Sequence, residues 1–270
     1  MKGLITTSSE LAAGLIAAGK SADCPIIDAH AHYGRFQGIY FPKPEAEGMI
    51  EIMDRAGVTV AICAPHAALS EPRRGNPIIV DVARRYPGRF LAYLTVNPNY
   101  PEELAEDIAA LRDRDPVVVG IKLHPGWHNY PLSGPSYAPV FAYSNRNSLP
   151  VLTHTWGNNA VCGPEEVRKV AERHPQAPIL MGHSCFGEVD KAMELAREFP
   201  NVYMELTAAY RVSGIIEEMV AVAGSEKVLF GSDLPWFDQH YGIGCIIFAH
   251  ISDEDRRNIL YRNAARLFRL

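Results

Sequence analysis

The chain has 270 residues, 47% hydrophobic and 21% charged, enough for one large α/β domain or two small ones with a substantial core. A formal net charge of -5, with no clustered Lys and Arg, excludes a non-specific nucleic-acid binder. No apolar run is long enough to span a bilayer, so no membrane partner is expected.

Residues 1–25 read as an N-terminal helical extension. Ser8 or Ser9 caps a helix with Leu11, Leu15 and Ile16 on one face, and Glu10 interrupts what would otherwise pass for the apolar run of a signal peptide. The first strand, Ile26 to His30, runs on to His32. Period-two alternation would put Asp28, His30 and His32 on one face. Two imidazoles so placed can each give a nitrogen to one metal ion. After an aromatic, Gly/Pro-rich loop, residues 45–56 read as a helix stopped at Gly57, and 59–64 as a strand buried on both faces. The alternation continues: helix 77–86, strand 90–96, helix 101–112, strand 117–123, helix 138–148, strand 150–154, helix 164–173, strand 178–183, helix 188–198, strand 202–206, helix 214–223, strand 228–230. An apolar loop and a helix from Asp253 to Leu267 close the chain.

Eight short apolar strands, each followed by a helical segment, predict a single (β/α)8 barrel over residues 26–270. The rival, an open doubly wound sheet, usually carries a glycine-rich phosphate turn after a strand, and none is present. In a barrel the C-terminal ends of the strands meet on one rim, where active sites are built. Those ends carry His30 and His32, Lys122 and His124, His154, His183, Glu205 and Asp233. Five of the ten histidines therefore converge with an aspartate.

The ordered set Ile27-Asp28-Ala29-His30-Ala31-His32, Gly120-Ile121-Lys122-Leu123-His124-Pro125, Pro150-Val151-Leu152-Thr153-His154, Gly182-His183 and Leu229-Phe230-Gly231-Ser232-Asp233-Leu234-Pro235-Trp236 resembles the amidohydrolase superfamily, in its amidohydrolase-related branch. The resemblance implies His30, His32, His154 and Asp233 as ligands of one divalent metal, with Asp233 also handling a proton. It implies His183 beside the substrate, polarising it or moving a proton. Zinc is the first choice on ligand type, with manganese or iron as alternatives. Water on such an ion has its pKa lowered from ~15.7 to about 7.

Lys122 has three readings. It is a carboxylated bridge to a second metal, a cation for a substrate carboxylate, or a buried structural lysine paired with Glu205 or Asp28. His124 reads as a substrate contact or a support for a ligand. Trp127, Trp156 and Trp236 follow strand ends, and with Tyr33, Phe36 and Tyr40 they wall a pocket for a small molecule or form small loop cores. Arg35 and Arg211 can pair with an anionic group. His66 is a rim residue without an assigned role.

The leading expectation is a metal-dependent hydrolase of a small amide, ester or lactone. The alternative is a non-oxidative decarboxylase of a small, aromatic acid. A nuclease on a related barrel would carry a fourth-strand glutamate, and a serine hydrolase a G-x-S-x-G elbow; neither is present. The five cysteines are odd in number, widely spaced and without CxxC, and read as reduced thiols of a cytoplasmic protein. Whether the chain forms a homo-oligomer is left open.

Overall fold

A computed structural model describes residues 9–20 and 24–270. Eight parallel strands form one sheet in sequence order: β1 (Ile26–Tyr33), β2 (Val58–Pro65), β3 (Phe90–Thr95), β4 (Val118–Leu123), β5 (Val151–Trp156), β6 (Ile179–Phe186), β7 (Val202–Glu205) and β8 (Val228–Leu229). The Ala29 amide donates to the Phe230 carbonyl at 3.0 Å and Ala31 bridges Leu234, so the ends of the sheet meet and the expected (β/α)8 barrel forms.

The core has two layers. Between strands and helices lies a large apolar shell that includes Met49, Met53, Ile79, Phe90, Val140, Phe141 and Met219. Inside the ring a smaller set interdigitates, with Ile27, Ile62, Tyr93, Leu152, Leu180 and Leu229 joined by Phe268 of the last helix. The Tyr93 and Phe268 rings meet edge to face at 5.9 Å, and the Tyr93 hydroxyl donates across the barrel to the Ala29 carbonyl at 2.7 Å. Gly120 makes room for that ring: a Cβ there would lie 2.7 Å from Tyr93 Cε1 and 2.9 Å from the Pro150 carbonyl.

Three elements differ from the sequence expectation. The helix expected from residue 77 begins five residues earlier, at Pro72, and carries Pro77 inside it. Tertiary contact outweighs the proline: the Asn76 side chain donates to the Thr95 carbonyl and accepts from the Thr95 amide, both at 2.9 Å, which clasps the helix to β3. The segment read as an apolar loop contains the helix Gln239–Phe248, capped by Asp238. Its apolar residues and Gly242 and Gly244 leave no polar face for a periodicity argument to find. The closing helix is interrupted by a π-helical turn at Asn258–Arg262.

The N-terminal helix Glu10–Ala18 is capped by Ser9, whose hydroxyl accepts from the Ala12 amide. Ser8 lies outside the described residues. Leu11 and Ala12 are buried while Ile16 is 47% exposed, so the packed face is narrower than the one expected. Ser9 and the Glu10 amide both bond to Asp253, tying this helix to the far end of the chain. No helix among the described residues is long and apolar enough to cross a membrane.

Gly120→Ala is expected to cost about 1–3 kcal/mol by overpacking Tyr93. A thermal melt followed by circular dichroism measures this, and an unchanged midpoint would show that the ring yields without cost.

Candidate active site

Each strand end delivers its polar side chain to one rim. The pairing of β1 with β2 shifts register between Asp28 and Ala31, and this breaks the alternation expected of β1. Asp28 does not join the two histidines. Fully buried, it accepts from the Ser232 amide at 3.0 Å, from the Ser232 hydroxyl, and from Gln239 Nε2 at 2.7 Å. It thereby anchors the loop that carries Asp233. Burial raises the Asp28 carboxyl to about 7 against these donors.

His30 and His32 do meet Asp233. His30 Nδ1 lies 2.7 Å from Glu205 Oε2 and His32 Nδ1 lies 3.1 Å from the Ala64 carbonyl, so each Nδ1 carries the hydrogen. Each Nε2 then presents a lone pair, 3.3 Å and 3.2 Å respectively from Asp233 Oδ1, and that of His30 is also approached by Lys122 Nζ. Asp233 Oδ1 is buried and has no hydrogen-bond partner. Three electron pairs thus converge with no hydrogen between them and the Asp233 oxygen. That arrangement is repulsive in a low-dielectric site and is relieved by a cation among the three atoms. The donor set therefore fits a divalent metal ion. His30, His32 and Asp233 can hold one among the described residues, and so can the overlapping set His30, His183 and Glu205.

His154 is not part of either group. Its ring stacks on His124 at 4.1 Å and meets His183 edge-on at 4.6 Å, beside the first set. Lys122 is fully buried, with Nζ 2.6 Å from His30 Nε2, so it engages the same lone pair from below. Burial lowers the ammonium below its usual range, and the charges of Asp233 and Glu205 offset part of that.

Glu205 is the hub under the site. Its Oε2 faces His30 Nδ1 and accepts from the His183 amide at 3.1 Å; its Oε1 accepts from the amide and hydroxyl of Thr207, both at 2.6 Å. One carboxylate thereby fixes a ring on β1 and the backbone of β6. That backbone is strained: His183, Ser184 and Cys185 have φ of 67°, 46° and 50° in succession. Thr155 Oγ1 accepts from the Cys185 amide and Ser184 donates to the Glu205 carbonyl, which holds the strained run in place. Cys185 itself is a packed thiol, pushed up to about 12 by burial, in line with the reduced-thiol expectation. All five cysteines are free.

Beside the three converging atoms opens a chamber of about 450 Å³. Phe36, Trp127, Trp156, Trp236 and Phe237 wall it, and His124, His154, His183 and Asp233 reach it. Of the residues expected to touch substrate, His124 and the three tryptophans line this space. Lys122 lies beneath it. Arg35, its side chain 87% exposed, is paired with Glu45 and lines a separate outer cavity. His66, left without a role by the sequence, accepts from Trp236 Nε1 at 2.9 Å, bonds to the Gly34 carbonyl, and stacks on His32 at 4.8 Å. It locks one wall of the chamber to the ring of His32. Its place after β2, like the other rim histidines, was the one signal available.

A family model described as amidohydrolase matches residues 27–270. The chain belongs to the amidohydrolase family. Among named relatives of this amidohydrolase is gamma-resorcylate decarboxylase of Rhizobium sp. (strain MTP-10005), 21% identical over 82% of this chain and 86% of that one. Another is gamma-resorcylate decarboxylase of Rhodococcus jostii (strain RHA1), 22% identical over 78% and 80%. Among solved structures, 5-carboxyvanillate decarboxylase of Novosphingobium aromaticivorans, complexed with manganese and 4-hydroxy-3-methoxy-5-nitrobenzoic acid, superposes with a TM-score of 0.74 at 15% identity, over 92% of this chain and 97% of that one. A 2,6-dihydroxybenzoate decarboxylase from Rhizobium superposes with a TM-score of 0.72 at 16% identity, over 91% and 99%. At these identities the structures establish the fold. The relatives' names overturn the expectation of a hydrolase of an amide, ester or lactone, because each is a decarboxylase. The strand-end residues read as suited to either reaction and do not by themselves separate the two.

Two outcomes follow for this amidohydrolase. Burial holds His30, His32, His124, His154 and His183 well below the usual imidazole value. The unfolded chain takes up these protons near its ordinary value of 6.5, and the folded protein does not. Stability is therefore full above that pH and is lost as pH falls below it. Urea unfolding of metal-free protein should show a midpoint that drops between pH 6.5 and 5 with a slope above one proton; a flat profile would contradict the burial of neutral rings. Glu205→Gln is expected to lower metal affinity about 10–100-fold by loosening His30, as read by competition with a chelating dye.

Proposed function

We propose that the protein is a metal-dependent, non-oxidative decarboxylase of a small aromatic carboxylic acid. The observation that carries this reading is the convergence of three lone pairs, from His30, His32 and Asp233, at the floor of an aromatic-walled chamber. The names of the relatives support it.

His30, His32 and Asp233 would hold one divalent ion, with the adjacent His154 as a further ligand. Zinc suits the ligand types, and manganese accompanies the carboxyvanillate decarboxylase structure. When bound, such an ion supplies Lewis acidity and neutralises charge on substrate oxygens. A second ion would require carboxylation of Lys122, and the contact of its Nζ with His30 supports a structural lysine instead.

The tryptophans and Phe36 offer planar faces to a ring and exclude water from it. Loss of carbon dioxide requires a proton on the ring carbon that bears the carboxylate; the C–C bond then breaks and its electrons return to the ring. His183 is the residue placed to deliver that proton. Its Nδ1 is 3.3 Å from the Thr207 carbonyl, which leaves Nε2 facing the chamber. Burial keeps the ring neutral, so Nε2 first accepts a proton, from a substrate hydroxyl or water, and then returns it to carbon. The helix Glu10–Ala18 would belong to an extension of this catalytic barrel, residues 26–270; residues 1–8 and 21–23 of the expected extension lie outside the described residues. The substrate is a small molecule taken up without nucleic acid or membrane.

Protein loaded with zinc or manganese should release carbon dioxide from 2-hydroxybenzoate-type acids. The release should stop with chelator and fall at least about 100-fold in His183→Asn and in Asp233→Asn. A carbon dioxide electrode or coupled assay reads this out. Hydrolysis of an ester or lactone without any decarboxylation across a panel of hydroxybenzoates would overturn the proposal.

A further inference from the structure

Lys122 is the one lysine buried among the described residues, and the decarboxylase reading leaves it without a role. Among the described residues its Nζ has a single hydrogen-bond partner, His30 Nε2 at 2.6 Å, and forms no ion pair. A buried amine normally has a carboxylate or several carbonyls around it. The half-buried Lys227 shows that ordinary arrangement, with Nζ donating to the carbonyls of Phe199, Pro200 and Val202. Lys122 relies instead on one atom, and that atom carries the lone pair His30 would give to an ion. An imidazole nitrogen without a hydrogen has one lone pair. It can accept from Lys122 or bind an ion, and it cannot do both.

A second acceptor stands beside Lys122. Thr95 of β3 and Lys122 of β4 are register partners, so their side chains leave the same face of the sheet. That face is the barrel interior. Two residues earlier on each strand, Tyr93 reaches across the ring to the Ala29 carbonyl, and a Cβ on Gly120 would collide with it. Thr95 is fully buried, and its Oγ1 has no hydrogen-bond partner. Its amide and carbonyl are both held by the Asn76 side chain, so the residue is fixed in place. A buried hydroxyl left bare is costly and calls for a reason. The flexible four-carbon stem of a lysine lets Nζ reach more than one partner.

We propose that Lys122 is a displaceable stand-in for the metal ion. In the metal-free protein its Nζ caps the lone pair of His30. When an ion is taken up, Nζ leaves that nitrogen and donates to Thr95 Oγ1 instead. Each state satisfies an atom that the other leaves bare. This goes beyond a structural lysine, and it rests on the reading of His30 as a metal ligand. Lys122 therefore weakens metal binding, because an ion must displace it. Thr95 strengthens metal binding, because it receives the displaced amine.

The test is a double-mutant cycle on zinc affinity, read by competition with a chelating dye on the full-length protein. Lys122→Met should bind zinc at least about tenfold tighter. Thr95→Val, of nearly the same shape, should bind it about tenfold weaker. In the Lys122→Met background, Thr95→Val should have no effect. A lysine acting only by its charge would give the first result without any dependence on Thr95. An effect of Thr95→Val that is absent, or equal in both backgrounds, therefore overturns the stand-in. Urea unfolding of metal-free protein supplies a second readout. Thr95→Val should leave that midpoint unchanged or raise it, and a fall would show the hydroxyl already in use there and overturn the proposal. His30→Ala keeps the two readings apart. Zinc affinity unchanged in His30→Ala would overturn the ligand reading, and the stand-in with it. Zinc binding lost in His30→Ala, with no coupling between Lys122 and Thr95, would overturn the stand-in alone.

Discussion

The contact of His30 Nδ1 with the Glu205 carboxylate, at 2.7 Å, is the interaction on which the rest of the site depends. It fixes the tautomer of His30 and so decides that Nε2, rather than an N–H, faces Asp233. The same carboxylate accepts from the backbone of His183 and from Thr207, so its position is set by β1, β6 and β7 together. A carboxylate buried this deeply is costly unless its lone pairs are satisfied, and here four groups surround it. Gly231 leaves the space required. A Cβ at that position would lie 2.2 Å from Glu205 Oε1 and 2.7 Å from His30 Cβ, so the loop after β8 can approach only as glycine.

Backbone strain is concentrated where this network is densest. Non-glycine residues with positive φ follow three adjacent strands: His183 to Cys185 at β6, Ala208 after β7, and Asp233 after β8. Each such residue costs on the order of 1–3 kcal/mol. The costs are offset locally, by Glu205, Thr155 and, for Asp233, by the hydrogen bond its amide donates to the His30 carbonyl at 2.7 Å. The outcome is a half-rim in which His183, Arg211 and Asp233 take positions that relaxed backbone would not give them.

The barrel and the strand-end residues were legible in the sequence because both rest on local pattern: apolar runs of strand length, and polar residues at their C-terminal ends. Asp28 was misplaced because alternation assumes an unbroken register, and the shift in β1 is visible only once β2 is beside it. The bond between Trp236 and His66 joins residues 170 positions apart, and no spacing rule reaches that far. The helix Gln239–Phe248 escaped because a helix without a polar face has no period to detect. Reaction class was the least legible, since the imidazoles and carboxylate at the strand ends read as suited to either reaction and a fold does not specify its chemistry.

Phe268 and Tyr93 close the interior of the ring from the side opposite the rim. The chamber walled by the three tryptophans lies on the other side, at the rim. On the proposed reading, products formed beside His30, His32 and Asp233 would leave past the same tryptophans that admit the substrate, through one aromatic throat. His66 and Trp236 brace that throat against the ring of His32, so the width of the passage is tied to the position of a candidate metal ligand.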